Sequence, residues 1–294
     1  MKQVLRIFIM AVITASSISC TNRGTENDNK AITVTIPPLE GLVKEIVGDD
    51  YTINTILPKG ATPENYSPTI AQMATIEESE YLFYMGTLAF ENQVINKYKG
   101  GHNIDIQKVA EDIELIEGSC KHGHGHEHDH EGHHHSLDPH VWMSIEGLEK
   151  MVDNIAETII NNNPDSVKYV ANYESIKCKL SVNKARYKEM LGDAPRQFLI
   201  YHPSLGYLAK EFDLEQIAFE NDGKTPSPAG VIDIVEKAKA DGLKYILYQA
   251  EYPLDVVKPI AEALNVKPIL INPLSNNITA ELDSIINILA GSYE

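Results

Sequence analysis

The sequence predicts an α/β protein of two lobes, each a parallel sheet with flanking helices, joined by one long rigid helix. Three observations carry this. Short β-branched runs alternate with helical periodicities in both halves of the chain, which is the pattern of parallel β/α units. Between the halves, residues 165–191 run without Gly or Pro, and at 1.5 Å per residue such a helix is roughly 40 Å long, enough to cross a domain. About 275 residues follow the export signal described next, sufficient for two α/β lobes.

Residues 1–19 have the form of an export signal, with Lys2 and Arg6 as a positive start, an apolar stretch over 7–13 and small residues leading to Cys20. The apolar stretch is too short to span a bilayer. A cysteine directly after a signal resembles the lipobox of bacterial lipoproteins, so Cys20 is the expected lipidation site. Ser17 departs from the Leu usual there, and ordinary secretion with a free Cys20 is the alternative. Residues 20–30 are polar and Asn-rich, as a flexible tether would be.

The first lobe is expected over 31–163. Strands are predicted at 31–36, 51–57, 81–85 and 104–109, with helices at 39–47, 69–78 and 145–160. Asn163 and Pro164 suit a helix cap and first helical residue, so the linking helix is placed over 164–192 and stopped by Gly192 and Pro195. In the second lobe, 193–294, strands at 197–201, 214–219, 244–248 and 266–271 alternate with helices at 205–212, 228–240, 254–264 and 279–289. No close internal repeat is visible.

The formal charge of −17 argues against nucleic acid, whose phosphates need clustered Lys and Arg. It suits a soluble protein in a cation-rich compartment and would mildly concentrate divalent ions near the surface. Cys120 and Cys178 could pair in an oxidising envelope. Cys120 borders a histidine tract, however, and Cys178 sits mid-helix as a buried small apolar residue would, so no disulfide is expected.

The tract lies in a loop spanning 119–136 and holds eight of the eleven histidines: His122, His124, His126, His128, His130, His133, His134 and His135. Imidazole is the commonest side-chain ligand for zinc, copper and nickel. With no apolar residue to bury, the tract is expected to be a solvated loop that meets metal ions reversibly, an auxiliary metal loop. A polar insertion without a role is the alternative.

Only His102, His140 and His202 remain. His102, between Gly101 and Asn103, reads as a surface turn. His202 follows the strand at 197–201, Asn272 follows the strand at 266–271, and Glu64 lies in the loop after the strand at 51–57. Ligands of parallel sheets bind beyond the carboxyl ends of strands, so a site between lobes built from Glu64, His140 and His202 follows. Each residue also has an ordinary use: His202 as a satisfied core histidine, His140 as a turn residue beside Asp138 and Pro139, Glu64 as a solvated acid. Tyr66 and Trp142 read as packing residues.

Four segments in order resemble the metal-specific solute-binding lipoproteins of ABC transporters, of the zinc and manganese uptake type. The loop Pro58-Lys59-Gly60-Ala61-Thr62-Pro63-Glu64-Asn65-Tyr66-Ser67-Pro68 is similar to that family's Pro-Pro-Gly-Ala-Asp-Pro-His-x-Tyr-x-Pro. Asp138-Pro139-His140-Val141-Trp142 matches outright. Tyr201-His202-Pro203-Ser204-Leu205-Gly206-Tyr207 is similar to Phe-His-Asp-Ala-Phe-Gly-Tyr, and Asn272-Pro273-Leu274 to Asp-Pro-Leu. A histidine-rich insertion before Asp-Pro-His is typical of the zinc importers. The resemblance, from residue 31 to the end, implies a monomeric receptor outside the cytoplasm, lipid-anchored to a bacterial membrane, that captures Zn2+ between its lobes and delivers it to a transporter permease.

The implied ligands are Glu64, standing where the family has its first histidine, with His140 and His202. Asn272, in place of the family's late aspartate, or a water would take the fourth position. Two imidazoles and a carboxylate hold zinc well but discriminate less against Mn2+ or Fe2+ than three imidazoles would, since oxygen donors suit harder ions. His202 argues for zinc, because manganese importers of the family commonly carry a carboxylate there. The long helix implies a small tilt rather than wide hinge closure.

A zinc-dependent hydrolase is the rival from another class, and its supporting motifs are missing. His126-Glu127-His128-Asp129-His130 fits the His-Glu-x-x-His string, but that string must lie on a helix, which a Gly-rich tract cannot supply. Gly223-Lys224-Thr225 mimics the end of a P-loop whose first glycine is replaced by Ala218, and there is no Gly-x-Ser-x-Gly elbow. A surface adhesin is the remaining alternative.

Overall fold

The computed structural model describes residues 30–98, 104–118, 137–220, 228–240 and 242–291. Two four-stranded parallel sheets form its frame. The first contains β1 (Ala31–Val34), β2 (Thr52–Thr55), β3 (Tyr81–Tyr84) and β4 (Asp105–Lys108), in the order β2-β1-β3-β4. The second contains β5 (Gln197–Ile200), β6 (Glu215–Ala218), β7 (Tyr245–Gln249) and β8 (Lys267–Ile271), in the order β6-β5-β7-β8. Counted from each lobe's first strand, both read 2-1-3-4, so the lobes share a topology that the sequence does not show as a repeat.

The first-lobe helices are α1 (Pro37–Val47), α2 (Ile70–Glu77), α3 (Glu91–Tyr98) and α4 (Ile145–Asn162). Both prolines of α1 sit in its first turn, where an N–H is not needed. Leu39, Leu42, Val43, Ile46 and Val47 then bury one face at helical spacing. Thr69 and Gln72 close a capping box on α2, and the Ser144 side chain caps α4 through the Gly147 N–H.

Helix α3 was not foreseen. It is short and polar, and its buried stripe is only Glu91, Val94 and Tyr98. Its start is fixed by a carboxylate: Glu91, buried, accepts from the Thr35 hydroxyl at 2.6 Å and from the N–H groups of Met85, Gly86 and Leu88 at 2.7–3.3 Å. Those groups belong to the loops after β1 and β3, so the helix is a product of tertiary contact.

The long helix α5 (Val167–Met190) has 24 residues, about 36 Å. Its start corrects the expected one. Asn163 closes α4 instead, its N–H bonded to the Ile160 carbonyl and its side-chain amide to the Ile159 carbonyl, and two turn residues separate it from the Ser166 cap of α5. Cys178 is a second correction: it lies on the exposed side of α5, a free thiol, because the buried stripe is Tyr169, Ile176, Leu180 and Tyr187. The first half of α5 is held to the first lobe by Asn172 on the Ile46 carbonyl and Tyr173 on Asp153. Its second half reaches Asp283 of α9 (Ile278–Leu289) through Arg186 and Tyr187.

The second-lobe sheet is packed on both faces. Phe198 and Ile200 point inward with Leu247, Ile269 and Ile271, and join α6 (Gly206–Glu211), α9 and the first lobe in one continuous core. Leu199, Tyr201, Ile246 and Tyr248, alternating with them, point outward into a separate core under α7 (Pro228–Ala240) and α8 (Leu254–Leu264). None of the described helices is long and apolar enough to cross a membrane.

Polar contacts fasten the same seam. The Trp142 indole N–H donates to the Pro273 carbonyl at 2.9 Å, and the Tyr207 hydroxyl to the Asp138 carbonyl at 2.9 Å. Glu211 of α6, buried, accepts from the Ile145 N–H that opens α4 and meets Lys184 of α5 at 3.1 Å. At Gly41 the α1 backbone passes so close to Asn276 that an added Cβ would sit 1.7 Å from its carbonyl oxygen.

Candidate metal centre

Each of the three expected ligands sits at the carboxyl end of a sheet. Glu64 lies in a one-turn 3-10 helix, Pro63–Asn65, in the loop after β2, with Pro63 setting its first position. His140 lies between β4 and α4, and His202 two residues past β5. Glu64 Oε1 stands 3.5 Å from His140 Nε2 and 3.7 Å from His202 Nε2. The three donor atoms lie within 4.8 Å of one another, and the imidazole rings face edge to plane, 5.3 Å between centroids. Two ligands 2.1 Å from a tetrahedral ion are about 3.4 Å apart, so the carboxylate-to-imidazole separations match the edges of such a site.

The rings are oriented by buried carboxylates. Asp138 Oδ1 accepts from His140 Nδ1 at 2.8 Å and from the His140 N–H at 2.9 Å. Glu220, in the loop after β6, meets His202 Nδ1 at 2.5 Å. A carboxylate can only accept, so each Nδ1 carries a proton and each Nε2 is the nitrogen turned to the centre. His202 Nε2 is buried with no hydrogen-bond partner among the described residues, an orphan that a cation would satisfy. Gln249, the last residue of β7, fixes the His202 loop by accepting its N–H and donating to its carbonyl and to Ser204 Oγ.

Electrostatics set the groups against one another. Burial opposes a charge on His140, but hydrogen bonds and charge from Asp138 and Glu64 outweigh it and raise the imidazole to about 9. Burial likewise favours neutral Glu64, and His140 with His202 overcomes it, holding that carboxyl below its ordinary range. Glu64 and His140 are therefore a proton-bridged carboxylate and imidazole pair, in which a cation would take the proton's place. The hollow has about 20 Å³ of water-accessible space, room for one ion or water.

Asn272 follows β8, with its N–H held by Glu281 at 2.7 Å. Among the described residues the wall at this corner is formed by its neighbours Pro273 and Leu274. Trp142 is fully buried beside His140, and Tyr66 packs on Phe90. Sequence reasoning passed over Glu220, which lies 18 residues from its histidine and carries no local signal. Asp138 had been read only as a turn residue. Cys20, Cys120, His102 and the histidines of the tract fall outside the described residues. The tract's flanks do not: Glu117 and Leu137 form an antiparallel bridge, and the Asp138 N–H bonds to the Ile116 carbonyl at 2.9 Å. The loop thus departs and returns three residues before His140.

A family model described as the periplasmic zinc-uptake complex component A matches residues 32–291. The high-affinity zinc uptake system protein ZnuA of Bacillus subtilis is 29% identical over 94% of this chain and 90% of its own length. The zinc-binding lipoprotein AdcA of Streptococcus pneumoniae is 26% identical over 88% of this chain, which spans only 53% of that longer protein. A zinc-bound crystal structure of a ZnuA deletion mutant superposes with a TM-score of 0.78 at 25% identity, covering 89% of this chain and 96% of that one.

Proposed function

This chain belongs to the family of periplasmic zinc-uptake components A, and on that premise we propose that it captures Zn2+ between its lobes outside the cytoplasm and hands it to the permease of an ABC transporter. The observation that carries the reading is the trio itself: one carboxylate and one imidazole from the first lobe and one imidazole from the second, the carboxylate oxygen at tetrahedral spacing from each imidazole and both rings locked by buried acids. The chain is a receptor and not an enzyme. It works as a monomer tied to the membrane through lipid on Cys20, and it does not bind nucleic acid.

Zinc is the cargo. His140 and His202 supply Nε2 donors and Glu64 an oxygen, which leaves the fourth position open to a further donor. Because the donors come from two lobes, binding free energy becomes lobe-docking free energy. The shared core and α5 restrict the response to a small shift, so a permease would read the local shape of the loops around Glu64 and His202. The histidine loop, rooted beside Asp138, gathers zinc weakly and passes it inward.

The test is metal competition on soluble protein from Thr21 onward, with and without residues 121–135, with bound metal counted by elemental analysis. One tightly held zinc that excess manganese does not displace is expected in both forms, with weak extra equivalents only when the loop is present. A preference for manganese or iron would change the cargo. Loss of the tight zinc with the loop would overturn the assignment of the trio.

A further inference from the structure

Three protein ligands leave a four-coordinate zinc one donor short, and the walls of the hollow supply few candidates. Gln249 is committed on both ends of its amide to the His202 loop, and Ser204 Oγ receives one of those bonds. The Tyr252 ring is packed 4.9 Å from Tyr201, and burial pushes its phenol well above the ordinary range, so it is a neutral and poor ligand. Thr62 offers only an uncharged hydroxyl. Among the described residues that line the hollow, the remaining carboxylate besides Glu64 is Glu251.

Glu251 lies two residues past the end of β7, and His202 two residues past the end of its neighbour β5. The strand order of the second sheet reverses between these two strands, and such a reversal opens the crevice where parallel sheets bind ligands. The Glu251 carboxylate makes no ion pair or hydrogen bond to another side chain among the described residues, and the charged groups nearest in effect are Glu64, His202 and His140. It stands outside the tight trio, facing Glu64 as a like charge. A dication between the two converts that repulsion into attraction.

We propose that Glu251 is the fourth zinc ligand, swinging onto the ion from the second lobe as it loads, so that each lobe contributes one imidazole and one carboxylate. The inference rests on the receptor reading, and the experiment separates their failures. Glu251→Gln, nearly isosteric on a partly exposed loop, and Asn272→Ala are compared with the unsubstituted chain. Zinc stoichiometry, zinc affinity by chelator competition, and the visible absorption of the Co2+-loaded proteins are measured, with thermal melting of the zinc-stripped proteins as a check on folding.

The expected result for E251Q is one bound zinc, an affinity lowered about 100-fold, an altered Co2+ spectrum and unchanged melting, with N272A close to the parent. An unchanged affinity and Co2+ spectrum in E251Q would overturn the proposal, as would finding the loss in N272A instead. Absence of a tight zinc in the parent chain would overturn the receptor reading itself.

Discussion

The two histidines of the candidate metal centre are built alike and secured differently. His140 is held by Asp138, two residues away in the same loop, which grips both its ring and its backbone N–H. His202 is held by Glu220 from the end of the neighbouring strand and by Gln249 from the other side. The first arrangement is local and survives any fold that closes the loop. The second exists only once β5, β6 and β7 have paired. Half of the centre is thus encoded in a pentapeptide and half in a sheet.

The comparison can be broken first at the ligands. Substituting His140→Ala or His202→Ala should abolish tight zinc binding. The rise in melting temperature that excess zinc gives the parent through mass action should vanish in both, as thermal shift with and without zinc would show. A persistent zinc-dependent shift in H202A alone would mean that the first lobe holds the ion by itself.

The next largest effect separates the two cores of the second lobe. Leu282 of α9 is buried in the core shared by both lobes and Leu264 of α8 in the outer one. Either Leu→Ala change should cost about 2–5 kcal/mol in denaturant unfolding. Only L282A should also weaken zinc, by several-fold, since its cavity loosens the seam between the ligands.

Sharpening comes from the supporting acids. Asp138→Asn should weaken zinc toward the upper end of the roughly 10–100-fold range for such groups, and Glu220→Gln toward the lower end. The reason is that Asp138 fixes backbone and ring together, while Glu220 shares its task with Gln249. Chelator competition on both variants gives the order, and the reverse order would mean that sheet pairing, not the local loop, positions the ion. The smallest effect belongs to Cys178→Ser, on the exposed side of α5, which should change stability by no more than about 0.5 kcal/mol.

What was legible in the chain follows the same local and non-local division. Strand and helix alternation, the long helix and both histidines were readable because period, cap and motif are short-range signals. Helix α3 was not, because Thr35, Met85, Gly86 and Leu88 assemble around Glu91 only after β1 and β3 lie side by side. Asn163 had the chemistry of an N-cap, and the Tyr81 and Ile159 oxygens claimed its amide for the end of α4 instead. Cys178 was misplaced because a 24-residue helix with a four-residue buried stripe leaves most positions outside. Glu220 could have been found only by knowing which strand lies beside β5.

The separation of the second-lobe sheet into an inner and an outer core has a consequence for how the molecule breathes. Residues that share the inner core with the first lobe form one cooperative unit, whose amides should exchange with solvent only through global unfolding. The α7 and α8 layer, resting on its own smaller cluster, can open sub-globally at lower cost. The outer flank of the protein can therefore loosen and reclose many times while the seam around the candidate metal centre stays shut.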